Sequence, residues 1–250
     1  MDVKPFQVNS LVDLLANAAQ STPGHLAFQF YRFTAAQTGS QLQVSYGQLW
    51  QQARALGAQL ARRLEPGERA LIVCPPGLDY IIAFFACQLA GIIAVPAYPP
   101  RNSKHMERLG AILQDAKAHS VLCLSSQLRQ LHNWEQKLQL ACLPVDQCLL
   151  QSHAHWVPVT SEADVISYLQ YTSGTTGLPK GVMASHQQIL ENLNLIQKLM
   201  SGGYSTGTQV VDAMCSWLPP FHDLGLIGTI LLPLYMGVPA HLMAPASFVQ

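Results

Sequence analysis

Charge is what this sequence has least of. Lys, Arg, Asp and Glu make up 11% of its 250 residues, where a soluble domain usually carries about 25%. The 14 basic and 14 acidic residues cancel. No basic stripe exists to neutralise phosphates along a strand, which argues against nucleic acid as a partner. The densest basic spot, Arg62-Arg63, reads as a solvated helix face. So little charge means a chain that buries much of its surface, or a piece of something larger that covers it.

Cysteine is present six times but never as CxxC. Cys74, Cys87, Cys123 and Cys215 lie inside apolar runs, where a free thiol behaves as a small hydrophobe. This predicts a reducing, cytoplasmic compartment. His153 and His155 flank Ala154 without a cysteine or carboxylate pattern, so they do not make a zinc motif. Met1 to Phe6 lacks the apolar core of a secretory signal. The longest apolar run, Tyr80 to Ala97, is interrupted by Gln88, divided by Gly91 and stopped by Pro96. A membrane span needs about 20 apolar residues. The run reads instead as a buried helix followed by a buried strand, and no membrane span is expected.

What the sequence has is apolar material, 49% of residues, in a repeated strand–helix alternation. Ser10 with Asp13 opens a helix that Pro23-Gly24 close, and Val44-Ser45-Tyr46 lead into a second, ended by Pro66-Gly67. Strands are predicted at 70–74, 92–95, 121–124, 165–171, 209–218 and 238–243. Helices are predicted at 78–90, 103–118, 127–140, 186–200 and 226–235. A polar, His-rich connection runs through residue 154. Short continuous apolar strands between helices mean an α/β fold around largely parallel sheets. The Ser- and Gly-rich stretch at 201–207 is a candidate joint. It divides the chain into a first α/β subdomain, 1–200, and the start of a second, 201–250.

The richest segment follows the 165–171 strand: Tyr171-Thr172-Ser173-Gly174-Thr175-Thr176-Gly177-Leu178-Pro179-Lys180-Gly181. Three glycines let backbone N–H groups approach an anion, the hydroxyls of Thr172, Ser173, Thr175 and Thr176 add short donors, and Lys180 adds a mobile cation. The spacing is neither a Walker A loop nor GxGxxG. Two readings stay open from these residues alone: a polyphosphate cradle, or a hairpin that only turns the chain. A second polar loop, Pro219-Pro220-Phe221-His222-Asp223, also follows a predicted strand. Ligands in such folds sit beyond the carboxyl ends of strands, so the two loops would share one site.

Four segments together resemble the adenylate-forming superfamily, which contains acyl-CoA synthetases and the adenylation domains of peptide synthetases. They are Val44 to Leu49, Leu89 to Pro96, Tyr171 to Gly181, and Trp217-Leu218-Pro219-Pro220-Phe221-His222-Asp223-Leu224-Gly225, in the family's order. Pro96-Ala97-Tyr98-Pro99-Pro100-Arg101 and the run from His222 to Leu226 are most similar to fatty-acyl-AMP ligases. The resemblance implies an N-terminal portion of that fold, without the C-terminal lid and its catalytic lysine. It implies ATP and Mg²⁺ as cofactors, a fatty acid as substrate, and a phosphopantetheinyl acyl carrier protein, or CoA, as acceptor. By the same resemblance, Thr172, Ser173, Gly174, Thr175, Thr176, Gly177 and Lys180 hold phosphates, with Thr176 beside the metal. His222 and Lys180 act on the reacting groups, and Phe221, His222, Gly225, Leu226 and Ile227 line the acyl pocket. Amino-acid-activating relatives place an aspartate where His222 stands, which disfavours an α-amino acid. The alternatives are a fatty-acyl-CoA synthetase, or a nucleotide-binding piece inactive by itself.

Overall fold

The apolar runs assemble into two sheets in a computed structural model that describes residues 8–33, 39–138, 140–148, 156–172, 179–202 and 211–248. In chain order the elements are α1 (Leu11–Ser21), β1 (Leu26–Phe33), β2 (Gly39–Ser45), α2 (Tyr46–Leu60), β3 (Arg69–Ile72), α3 (Leu78–Leu89), β4 (Ile93–Pro96), α4 (Ser103–Ala116), β5 (Ser120–Cys123), α5 (Leu128–Leu138), β6 (Ala141–Pro144) and α6 (Val145–Cys148). They continue with β7 (Ile166–Thr172), β8 (Lys180–Ser185), α7 (His186–Gly202), β9 (Met214–Ser216), α8 (Asp223–Leu226), α9 (Leu232–Met236), β10 (Ala240–Met243) and α10 (Pro245–Phe248).

One sheet has the order β6-β5-β3-β4-β7-β8, the other β2-β1-β10-β9. Every pairing is parallel except β1 with β2 and β7 with β8. The expected α/β fold is therefore present, with mixed sheets. The second sheet draws β1 and β2 from the start of the chain and β9 and β10 from beyond residue 201, so it spans the expected subdomain boundary. Residues 203–207 of the expected joint lie outside the described residues; 201 and 202 end α7.

The centre of the six-stranded sheet explains why continuous apolar runs were needed. Ala70, Ile72 and Ala94 face a core shared with α1, α2 and α3. Leu71, Val73, Ile93 and Val95 face the opposite core, closed by Leu109, Ile112 and Leu113 of α4 and Leu131 of α5. Alternate residues thus meet two different apolar layers, so no position can be polar. Helix α3 is buried all round, from Tyr80 to Leu89. Each of its large side chains contributes about 1.5–3 kcal/mol by leaving water.

The longest apolar run divides where Gly91 stands. Gly91 takes a φ of 70°, and the amides of Gly91 and Ile92 bond the carbonyls of Gln88 (3.1 Å) and Cys87 (2.9 Å). That is a Schellman stop, which favours glycine. Gln88, the lone polar residue in the run, is buried and satisfied. Its amide oxygen accepts from Ser167 Oγ at 2.7 Å, and its amide nitrogen donates to the Ser167 carbonyl at 3.3 Å. Among the described residues no helix is long and apolar enough to cross a membrane.

Helix starts follow the caps expected. Ser10 Oγ accepts from the Asp13 amide, and Ser45 with Gln48 forms a reciprocal capping box. Strands β1, β2, β6 and β8 were not expected. β2 and β8 are mostly exposed edge strands, so they carry little of the apolar signal that marks the central ones. The predicted helix at 226–235 is a broken one: α8, a π turn over Ile227–Leu231, then α9. Pro233 has no N–H for the Thr229 carbonyl, and the Leu232 amide bonds the Ile227 carbonyl five residues back.

Candidate active site

Strands β4 and β7 are parallel neighbours, with Ala94 opposite Tyr168. Their carboxyl ends therefore open on one edge of the sheet, where such folds hold ligands. A cavity of about 660 Å³ lies there. Its walls are the segment after β4 (Pro96 to Pro99), the end of β7 (Gln170, Tyr171, Thr172), the loop after β9 (Pro219, Phe221, His222, Asp223) and one face of α4. The α4 side is graded. Arg101, His105 and Arg108 are polar, and Leu109 and Ile112 below them are apolar.

Tyr98 sits at the centre of the aromatic wall. Its ring lies 4.2 Å from Phe221 and edge-on to His222 at 5.3 Å between centroids. Its hydroxyl is hydrogen-bonded to His222 Nε2. Burial raises the Tyr98 phenol above its ordinary range, with Arg108 opposing, so the hydroxyl keeps its proton. The imidazole's other nitrogen, Nδ1, is not used by this bond.

His222 is held by its backbone. Its amide donates to the Pro219 carbonyl at 3.1 Å, and its carbonyl accepts from the Leu226 amide at 2.8 Å. The elbow closes because residue 225 is glycine: a Cβ there would lie 1.9 Å from the Pro219 carbonyl oxygen. The space beside Gly225 is thus taken by main chain. Leu226 is fully buried in the core and Ile227 packs against it. Of the five expected acyl-pocket residues, Phe221 and His222 line the cavity, while Gly225, Leu226 and Ile227 do not.

The expected phosphate loop joins two antiparallel strands. Thr172 and Lys180 are register partners across β7 and β8, and Tyr171 pairs with Gly181. Thr172 lines the cavity; Lys180 is exposed outside its lining. The two readings left open by the sequence are therefore compatible, because the connection is a hairpin and its stem begins at the cavity. Ser173, Gly174, Thr175, Thr176 and Gly177 lie outside the described residues. Among the described residues no group of three or more His, Cys, Asp and Glu could hold a metal ion.

Three contributions were missed from the sequence. Tyr98 lay within a segment already singled out, but only the packing of the segment after β4 against the loop after β9, in the other sheet, brings it to His222. Gln170 bridges the two polar loops, its amide nitrogen donating to the Phe221 carbonyl at 3.0 Å. The α4 face could have been found from its spacing, because positions 105, 108, 109 and 112 fall on one side of a helix.

Parallel strands whose carboxyl ends carry a cavity define an α/β protein of the kind that holds ligands at its sheet edge. Residues 15–250 match the AMP-binding enzyme family, and the chain belongs to it. It is 32% identical over 250 residues to the medium-chain-fatty-acid–[acyl-carrier-protein] ligase JamA of Moorena producens, covering 97% of this chain and 41% of that protein. It is also 32% identical to the long-chain-fatty-acid–AMP ligase FadD32 of Mycobacterium marinum, covering 90% of this chain and 35% of that one. Among solved structures it resembles a fatty acid AMP ligase from Legionella pneumophila, with a TM-score of 0.84 and 36% identity over 99% of this chain and 42% of that one. A fatty acyl-adenylate ligase from L. pneumophila, solved with acyl adenylate and pyrophosphate, gives a TM-score of 0.83 and 37% identity over 98% of this chain and 41% of that one. The chain thus spans about two fifths of the length of the relatives it matches.

Proposed function

We propose that the protein carrying this sequence activates a fatty acid with ATP, releasing pyrophosphate, and passes the acyl group to the phosphopantetheine thiol of an acyl carrier protein. The observation that carries this reading is the cavity where Tyr98, Phe221 and His222 meet Thr172, the first residue of the hairpin connection. Relatives named as fatty-acid–AMP and fatty-acid–carrier-protein ligases support it.

In the first step a carboxylate oxygen bonds the α-phosphorus of ATP, and the bond to the pyrophosphate oxygen breaks. An anion must approach a polyanion, so neutralisation and positioning are the main needs. Lys180 and the residues from Thr172 to Gly177 would grip the pyrophosphate. The His222 imidazole would bond the carboxylate or an α-phosphate oxygen through Nδ1, when that nitrogen carries hydrogen. Arg101 and Arg108, on the α4 side, add positive charge to the same cavity.

Leu109, Ile112 and Phe221 would take the first methylenes of the acyl chain, each buried CH₂ contributing about 0.8 kcal/mol. Mg²⁺ takes substrate phosphates, waters and one or two protein oxygens rather than an all-protein cage. That fits a site to which this chain is expected to bring the Thr176 hydroxyl, beside a glutamate from elsewhere in the protein, the metal arriving with the triphosphate. The metal would offset phosphate charge. With His222 after Phe221, where an amino-acid site would have aspartate, a simple carboxylic acid is the better substrate.

The test is fatty-acid-dependent exchange of pyrophosphate into ATP by the full-length protein, across acids from C8 to C18. Exchange with at least one of them is expected, and silence with all of them overturns the reading. His222→Ala should lower the exchange rate by about 100-fold without loss of melting temperature. Product analysis with carrier protein against CoA decides the acceptor. Putative fatty-acid–CoA ligases such as fadD25 of Mycobacterium tuberculosis, 31% identical, make CoA the competing outcome.

A further inference from the structure

Tyr171 carries more structure than a residue at the end of a strand requires. Its hydroxyl donates to Asp115 Oδ2 at 2.5 Å, and Asp115 stands in the last turn of α4. Its ring lies over the opposite strand: a Cβ on Gly181 would come within 2.9 Å of Tyr171 Cζ and 3.1 Å of its hydroxyl oxygen. The side chain is only 8% exposed. One phenol therefore touches the α4 wall of the cavity and both strands of the hairpin stem.

The neighbours on either side are the residues that begin and end the hairpin connection. Thr172 follows Tyr171, and Lys180 precedes Gly181 on the facing strand. Among the described residues edge strand β8 has no partner on its far side, so the ladder alone leaves the stem free to twist about β7. The ring on Gly181 limits that twist, and the bond to Asp115 fixes the ring.

The geometry points to Tyr171 and Asp115 as a pair of positioning residues for nucleotide: they hold Thr172 and Lys180 at the orientation that receives the phosphates of ATP. This rests on the adenylation reading above and adds to it two residues that act through others: Tyr171 borders the cavity, but its hydroxyl is spent on Asp115, which lies outside the lining. Neither is needed for burial of the acyl chain, so their loss should fall on ATP and spare the fatty acid. The bond also explains Gly181, since any side chain there would push the phenol away from Asp115.

The test uses the full-length protein and three variants. Tyr171→Phe removes the hydroxyl and keeps the ring, Asp115→Ala removes the acceptor, and Asp115→Asn keeps an acceptor oxygen. The KM for ATP should rise about tenfold in Tyr171→Phe and Asp115→Ala, with the KM for fatty acid within about twofold. Asp115→Asn should restore most of the ATP affinity. An unchanged KM for ATP in the first two variants overturns the proposal. So does an equal rise for both substrates with a fall in melting temperature, since that is the mark of a merely structural contact.

A second readout needs no turnover: the rise in melting temperature on adding MgATP alone. If the wild type shows that rise but no exchange with any fatty acid, the adenylation reading falls. The positioning role then stands if Tyr171→Phe and Asp115→Ala lose the rise, and falls if they keep it. A wild type that gains nothing from MgATP overturns both.

Discussion

The two polar loops that meet at the cavity are built in opposite ways. The hairpin stem of β7 and β8 is held by a backbone ladder and by one side chain, Tyr171, whose ring lies over Gly181. The elbow from Pro219 to Leu226 is held by main chain against main chain, with Gly225 pressed on the Pro219 carbonyl. Both glycines are required, but for different reasons. At Gly181 an added methyl would meet a ring that can yield by giving up its bond to Asp115. At Gly225 it would meet a carbonyl that cannot. The elbow should therefore be rigid and intolerant, and the stem adjustable. That suits a site in which one loop presents a fixed imidazole and the other accommodates a polyphosphate.

Substitution at the two glycines breaks this contrast most directly. Gly225→Ala should cost about 4 kcal/mol, at the upper end of single-residue effects. Chemical denaturation measures it, and a loss under about 1 kcal/mol would mean that the elbow can relax. The stem half has a pH-dependent anchor instead. His186, the first residue of α7 directly after β8, is buried, and its Nδ1 accepts from the Leu11 amide at 3.2 Å. Burial pushes its pKa down to about 4 from 6.5, with Asp13 opposing. Above pH 6.5 both folded and unfolded states hold it neutral. As pH falls below 6.5 the unfolded chain gains a proton that the folded one refuses, so stability drops until about pH 4. The full loss is up to about 3 kcal/mol. His186→Gln should flatten the unfolding free energy across that window, and an unchanged slope would remove the anchor.

Gly181→Ala should cost less, about 1–2 kcal/mol, because the Tyr171 ring can swing. Its effect should shrink when Tyr171 is already alanine, a coupling that a double-mutant cycle reads. The smallest effect is expected where the halves join. Gln170→Met removes the bond to the Phe221 carbonyl and should cost about 1 kcal/mol. A larger cost would mean that stem and elbow move as one body.

Central strands β3 and β4, helix α3 and its stop at Gly91 were legible because burial on both faces leaves an unbroken apolar signature. The cap at Ser10 and the helix start at Ser45 were legible because their chemistry is local. Strands β2 and β8 were not, because an exposed edge strand pairs through its backbone and needs few apolar side chains. For the site, the loops carrying Thr172 and His222 were readable as loops. Tyr98, Gln170 and the face of α4 join them only through strand order and the packing of the two sheets, which no single segment encodes. Gly225 shows the opposite failure: its residue type was informative, but the reason lay in a carbonyl six residues earlier in the chain.

The pairing of β1 with β10 sets a clock on the ribosome. Phe28 stands beside Ala240 and Phe30 beside Leu242 in parallel register. At a synthesis rate of about 5–20 residues per second, roughly 10–40 s separate the appearance of β1 from that of its partner. Throughout that interval Phe28 and Phe30, almost wholly covered in the finished fold, wait on a two-stranded ribbon with one side open. A nascent chain of this kind has reason to engage a chaperone early, at its first sheet and not at its last.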